Sequence, residues 1–152
     1  MKVYLGADHG GFEMKNELVK FLKKKNFDVE DIGPKEFDSE DDYTDYAVKV
    51  AGKVAESGSE LNQKNAFGIL ICRSAGGVII ASNKIKGIRA VAIFDETSAK
   101  HARGHNDANI AGISGDWTLV DDAKKIAEIF LTTPFSNASR HTRRLKKIQD
   151  LE

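Results

Sequence analysis

The sequence predicts a three-layer α/β/α sandwich around a five-stranded parallel sheet. Short apolar runs alternate with amphipathic stretches five times over, the pattern that βα units leave in a chain. The strongest run, Phe67–Cys72 (FGILIC), is apolar almost throughout, as suits a strand covered on both faces. The length of 152 residues fits one domain, 1–152, with room for a sizeable core. Crossovers between parallel strands are expected to be right-handed.

Each element has its own reason. Lys2–Ala7 (KVYLGA) reads as the first strand. Gly11–Lys25 reads as a helix, with Phe12, Leu18, Val19 and Leu22 at near-helical spacing among lysines. Phe27–Ile32 is a second, weaker strand, and the acidic, proline-containing Gly33–Asp42 is a loop. Tyr46–Glu56 is a helix despite Gly52. Phe67–Cys72 is the third strand and Gly76–Lys84 the helix after it. Ile88–Phe94 (IRAVAIF) and Asn109–Ile113 (NIAGI) are the fourth and fifth strands, with a short helix, Thr97–Arg103, between them. Leu119–Leu131 is a helix ended near Pro134, and Asn137–Glu152 is a basic terminal helix.

Composition narrows the function. There are 23 basic and 23 acidic side chains, so the net charge is zero with histidine neutral. That balance argues against a nucleic acid or an anionic membrane as partner. The single cysteine, Cys72, allows no internal disulfide and no Cys-rich zinc site. No targeting segment or span-length apolar run is expected, and the reading is a cytoplasmic protein.

In open parallel sheets the site lies beyond the carboxyl ends of the strands. Asp8-His9-Gly10-Gly11 follows the first strand, Cys72-Arg73-Ser74-Ala75-Gly76-Gly77 the third, and Asp95-Glu96-Thr97-Ser98 the fourth. His105-Asn106-Asp107 stands just before the fifth, and Arg140-His141-Thr142-Arg143-Arg144 opens the last helix. Together these groups are expected to cluster at a pocket.

Several familiar sites are absent. ADHGGF is not the G-x-G-x-x-G of a dinucleotide site, and there is no P-loop. A cysteine phosphatase would carry an arginine where Val78 stands. A phosphoacceptor domain would have aspartate at Cys72, and thioredoxin chemistry needs a second cysteine.

What remains carries two readings at each position. Cys72 is either a small buried hydrophobe or a thiolate stabilised by the start of a helix. Ser74 and the Gly76–Gly77 pair leave backbone N–H groups for an oxyanion. Asp8 is a helix cap or a site carboxylate, and His9 a surface or a site histidine. His105 is a loop or a site histidine, and Asn106 and Asp107 are turn formers or site groups. Arg140 and Arg144, four apart, share a face that is either solvated or grips a phosphate.

Taken together, the residues resemble one family. The marks are Gly6–Phe12 (GADHGGF), Asp45-Tyr46-Ala47, Gly68–Cys72 (GILIC), Asn83–Ala90 (NKIKGIRA), Ser98-Ala99, His105–Asn109 (HNDAN) and the R-H-x-x-R of Arg140–Arg144. In this order they resemble the type B ribose-5-phosphate isomerases, a family that includes the galactose-6-phosphate and allose-6-phosphate isomerases. The resemblance runs over nearly the whole chain and implies a Rossmann-like sheet.

It also implies roles. Cys72 matches the base that moves a proton between C1 and C2, and His105 the group that helps open the furanose ring. Asp8 matches a contact to the ring oxygen or hydroxyls, Ser74 a helper at the reacting carbons, and His9 a neighbour of the phosphate. Arg73, Ala75, Gly76 and Gly77 match the loop whose N–H groups hold the enediolate. Asn106 matches a sugar contact, and Arg140 and Arg144 phosphate ligands. No metal or cofactor is expected, because N–H donors take the enediolate charge. A homodimer or tetramer with shared sites is implied, as is a place in pentose phosphate metabolism.

The chain departs from the family in one loop and one position. C-R-S-A-G-G stands for C-G-T-G-x-G, so Arg73 and Ala75 replace glycines. A phosphate-binding arginine of the family falls on Asp116, and Arg73 is the side chain expected to supply the missing charge. Val78 replaces a glutamate used as base by some members, which leaves Cys72 for that role. Ribose 5-phosphate is the default substrate. A related isomerase for another sugar phosphate and a non-catalytic sugar-phosphate binding protein are the alternatives.

Overall fold

A computed structural model describes residues 1–58 and 65–152. The chain runs β1 (Lys2–Ala7), α1 (Phe12–Lys24), β2 (Asp28–Gly33), α2 (Tyr43–Glu56), β3 (Ala66–Cys72), α3 (Gly76–Ser82), β4 (Ala90–Ala92), α4 (Glu96–Gly104), β5 (Ile110–Ser114), α5 (Val120–Thr132) and α6 (Ser139–Gln149). A 3-10 turn, His9–Gly11, joins β1 to α1. The five strands form one sheet in the order β2-β1-β3-β5-β4, and every pairing is parallel. The expected three-layer sandwich is what forms.

Two apolar clusters sandwich the sheet. On one face Val3, Leu5, Ile69, Ile71 and Ile113 meet Met14 and Leu18 of α1, Ala102 of α4, and Ile126 and Phe130 of α5. On the other, Tyr4, Leu70, Cys72 and Ile110 meet Val50 and Val54 of α2 and Val78 of α3. All seven residues of β3 are buried, which explains why that run lacks alternation.

The fourth strand is shorter than its apolar run. Asn83 on the outer side pairs its side-chain amide with both the N–H and the C=O of Ala90, at 2.8 and 3.0 Å. Beyond Ile93, the Ser98 hydroxyl accepts from the Phe94 and Asp95 N–H groups. The Asp95 carboxylate in return accepts the Ser98 N–H at 2.7 Å. This reciprocal capping box starts α4 where the strand would have continued. It also gives the Asp95–Ser98 segment a structural role.

The chain leaves β1 for β2 on one side and returns for β3 on the other. That reversal places a crevice at the carboxyl ends of β1 and β3.

Candidate active site

The loops after β3 and β5 are zipped into one platform. Gly115 N–H donates to the Cys72 carbonyl at 2.8 Å, and Asp116 N–H to the Arg73 carbonyl at 3.1 Å. The Ser114 hydroxyl donates to the same Arg73 carbonyl. The loop after β1 joins by close approach. A Cβ on Gly115 would lie 2.3 Å from the Gly10 carbonyl oxygen, so only glycine fits there.

Cys72 ends β3, buried against α2 and α3. Ser74 follows and accepts the Gly76 N–H at 3.4 Å. Ala75 is fully buried at φ 64°, a left-handed conformation that costs a side-chain-bearing residue about 1–3 kcal/mol. The turn thus keeps the shape a glycine would take. Gly76 and Gly77 then open α3, where first-turn N–H groups have no partner within the helix. The Tyr43 ring covers Gly77 so closely that a Cβ there would sit 2.6 Å from Cζ.

Asp8 is 5 % exposed, and its Oδ1 has no hydrogen-bond partner. Burial raises its affinity for a proton, and His9 and the Gly10 N–H only partly offset that. An unsatisfied buried carboxylate oxygen is costly, and that makes Asp8 a candidate to receive a donor from a ligand. His9 is held by Asp41, whose Oδ1 accepts the His9 N–H at 2.8 Å and lies 2.9 Å from Nδ1. That bond raises the His9 pKa above its ordinary value. Burial, and then the Asp41 carboxylate, push the Tyr46 hydroxyl up to about 12.

A cleft of about 480 Å³ opens beside this platform, lined among others by His9, Gly10, Phe37, Arg73 and Asp116. Arg73 Nη1 lies 3.7 Å from Asp116 Oδ1 across an exposed part of it. Among the described residues, no group of three or more His, Cys, Asp or Glu is placed to hold a metal ion.

His105, Asn106, Arg140 and Arg144 lie elsewhere, which corrects the expectation of one cluster. β5 starts at Ile110, opposite Gly68 at the beginning of β3, and ends at Ser114, opposite Cys72. His105 precedes β5 and therefore belongs to the amino edge of the sheet. Four strand steps, about 13 Å, separate the two edges. There His105 packs against His101 and His141, and Arg140 Nε donates to His141 Nε2 at 3.2 Å. Asp107 bridges two buried arginines, Arg89 at 2.9 Å and Arg103 at 2.8 Å, and so anchors the loop that carries His105 and Asn106.

Sequence reasoning passed over Asp41, Tyr43 and His101. Asp41 stands in an acidic loop that reads as solvated. Only its position after a strand end could have singled it out.

An α/β sheet with an unsatisfied carboxylate, a thiol and open N–H groups at its switch point holds acid–base groups beside donors for an oxyanion, the equipment of a proton-transfer enzyme. The chain belongs to the ribose/galactose isomerase family, whose model matches residues 3–148. It is 37% identical over 153 residues to ribose-5-phosphate isomerase B of Mycobacterium tuberculosis (strain CDC 1551 / Oshkosh), covering 100% of this chain and 90% of that protein. The crystal structure of ribose-5-phosphate isomerase B from Mycoplasma genitalium with bound ribulose-5-phosphate superposes with a TM-score of 0.92 at 37% identity, covering 99% of this chain and 95% of that one. The type B ribose 5-phosphate isomerase of Trypanosoma brucei gives 0.89 at 40% identity, covering 99% and 98%.

Proposed function

We propose that this chain, as one domain, interconverts ribose 5-phosphate and ribulose 5-phosphate, a step of pentose metabolism. The observation that carries this reading is Cys72 at the end of β3, followed by the Ser74–Gly77 turn into α3, at the switch point of a sheet in this family. The Cys72 thiolate takes the proton from C2 of the open-chain aldose. O1 takes up a proton, and the first-turn N–H groups of α3 hold the enediolate oxygens. The thiol then returns its proton to C1, O2 loses its own, and the ketose results. Acid–base groups of this kind contribute about two to four orders of magnitude. Ser74 and Asp8 hold hydroxyls at the reacting end.

The ring-opening and phosphate groups come from a second copy. His105, Asn106, Arg140 and Arg144 are too far from Cys72 in one chain, so a homodimer or tetramer sets them against the His9 and Arg73 side of a partner. Two copies related by a twofold axis then build two equal sites. Among the described residues no helix is long and apolar enough to cross a membrane, and a small phosphorylated substrate fits a cytoplasmic enzyme with no nucleic-acid partner.

A second reading keeps the chemistry and changes the sugar. The Arg73–Asp116 pair puts a carboxylate in the cleft, which suits a substrate with further hydroxyls, of the galactose 6-phosphate or allose 6-phosphate type.

Proton NMR on ribose 5-phosphate in heavy water tests the proposal. Turnover with solvent deuterium at C1 or C2, lost in Cys72→Ser, is the expected result. Turnover of a hexose phosphate alone favours the second reading. Binding of sugar phosphates with no turnover of any of them would leave a binding protein.

A further inference from the structure

His105 is clamped by two other imidazoles. His101 stacks on it with ring centroids 4.3 Å apart and planes inclined by 21°. His141 lies 4.5 Å away at 40°. Neither contact joins His101 to His141, so the two rings cover opposite faces of His105.

The His141 ring is itself anchored. His141 Nδ1 meets the Ser136 hydroxyl at 2.8 Å, and its Nε2 meets Arg140 Nε at 3.2 Å. Arginine only donates, so Nε2 accepts and the His141 proton sits on Nδ1. His101 stands one turn before His105 in α4, and its carbonyl accepts the His105 N–H at 2.9 Å. Four residues of separation bring the two side chains onto one helix face.

The ring nitrogens of His105 have no hydrogen-bond partner among the described residues. A catalytic imidazole is usually oriented by a carboxylate or carbonyl at one nitrogen. Here the faces are held and the edge is left open to a ligand.

We propose that His101 is a positioning residue: its ring stacks on the His105 imidazole, holds it between itself and the tilted His141 ring, and leaves both nitrogens for the sugar. The proposal rests on the isomerase reading, in which His105 opens the furanose. It confines the effect of His101 to the ring-opening step. Ribulose 5-phosphate cannot form a furanose, because its carbonyl is at C2 and O5 carries the phosphate. Ribose 5-phosphate must be opened, and that step needs a proton moved between the anomeric hydroxyl and the ring oxygen.

The test compares His101→Ala and His101→Phe in the full chain, with kcat and KM measured from each substrate. Residue 101 is exposed and helical, where alanine is well tolerated. A misplaced catalytic group loses one to two orders of magnitude, so His101→Ala should lower kcat on ribose 5-phosphate about tenfold or more. KM on ribose 5-phosphate should stay within about twofold. Because the equilibrium is fixed, kcat/KM from ribulose 5-phosphate should fall by the same factor, whereas exchange of its C1 proton with heavy water, which needs no ring, should stay within about twofold. Phenylalanine restores a flat ring without a titrating nitrogen and should recover most of the loss. Loss of the C1 exchange in step with turnover overturns the proposal, as does no loss of turnover in His101→Ala or equal loss in the alanine and phenylalanine variants. Wild-type protein that turns over neither substrate overturns the isomerase reading, and the proposal falls with it.

Discussion

Cys72 and His105 stand at opposite edges of one sheet. The thiol ends β3 opposite Ser114, whereas the imidazole precedes Ile110, which pairs with the first half of β3. In the proposed mechanism they are the base and the ring-opening group and must both reach one five-carbon sugar, and about 13 Å of strand lies between them. The proposed mechanism therefore requires two chains to meet for one site to be complete.

Subunit mixing measures this directly. Cys72→Ser and His105→Ala are each expected to be inactive alone. Unfolded and refolded together, they should regain roughly a quarter of the wild-type rate, because half the dimers are mixed and each holds one intact site. No recovery from a mixture shown to contain mixed dimers would mean that each chain carries its own site.

His9 should bind the phosphate as a cation prepared by Asp41. The Asp41 carboxylate raises the His9 pKa, so the imidazolium form persists above its ordinary titration range. By linkage, the stability this pair contributes is complete below the ordinary histidine value near 6.5 and is lost as pH rises through the raised one. Asp41→Asn should raise KM for the sugar phosphate about three- to tenfold near neutral pH and leave kcat nearly unchanged. A KM that does not move would separate His9 from phosphate binding.

Asp107 should be a stability residue. Its carboxylate is fully buried between Arg89 and Arg103, with Arg103 also over the rings of Phe67 and Phe130. Removing one member of a buried ionic network leaves uncompensated charge and costs about 3–5 kcal/mol. Asp107→Ala should show that loss in urea unfolding, and less than about 1 kcal/mol would refute the account.

Gly115→Ala should damage the site through the backbone. The added methyl meets the Gly10 carbonyl, which cannot move without shifting Asp8 and His9. Overpacking of this kind costs about 1–3 kcal/mol. Activity should fall more than stability, as compared by turnover and thermal unfolding. Wild-type kcat in this variant would show that the two loops are not rigidly coupled.

The secondary structure was legible because its signals are local. The continuous apolar run of β3 and the amphipathic spacing of α1 each announce their element to within a few residues. β4 was overextended because Asn83 and Ser98 capture its end groups, and nothing in the apolar run shows those partners. Cys72, Ser74 and Asp8 were legible as site candidates because parallel sheets place sites at strand ends. Asp41 and His101 were not, since an acidic loop and a helix-surface histidine have ordinary solvated explanations.

Sequence alone determined the order of elements, the fold class and the family, since apolar periodicity and motif order are properties of the chain read in line. Only the tertiary structure decided which groups meet. The strand order sets β5 beside β3 and sends His105 to the far edge. The loop after β2 carries Asp41 to His9, and the zipped loops set Arg73 against Asp116. Those pairings depend on contacts between residues tens of positions apart, and no local pattern of side chains encodes such a contact.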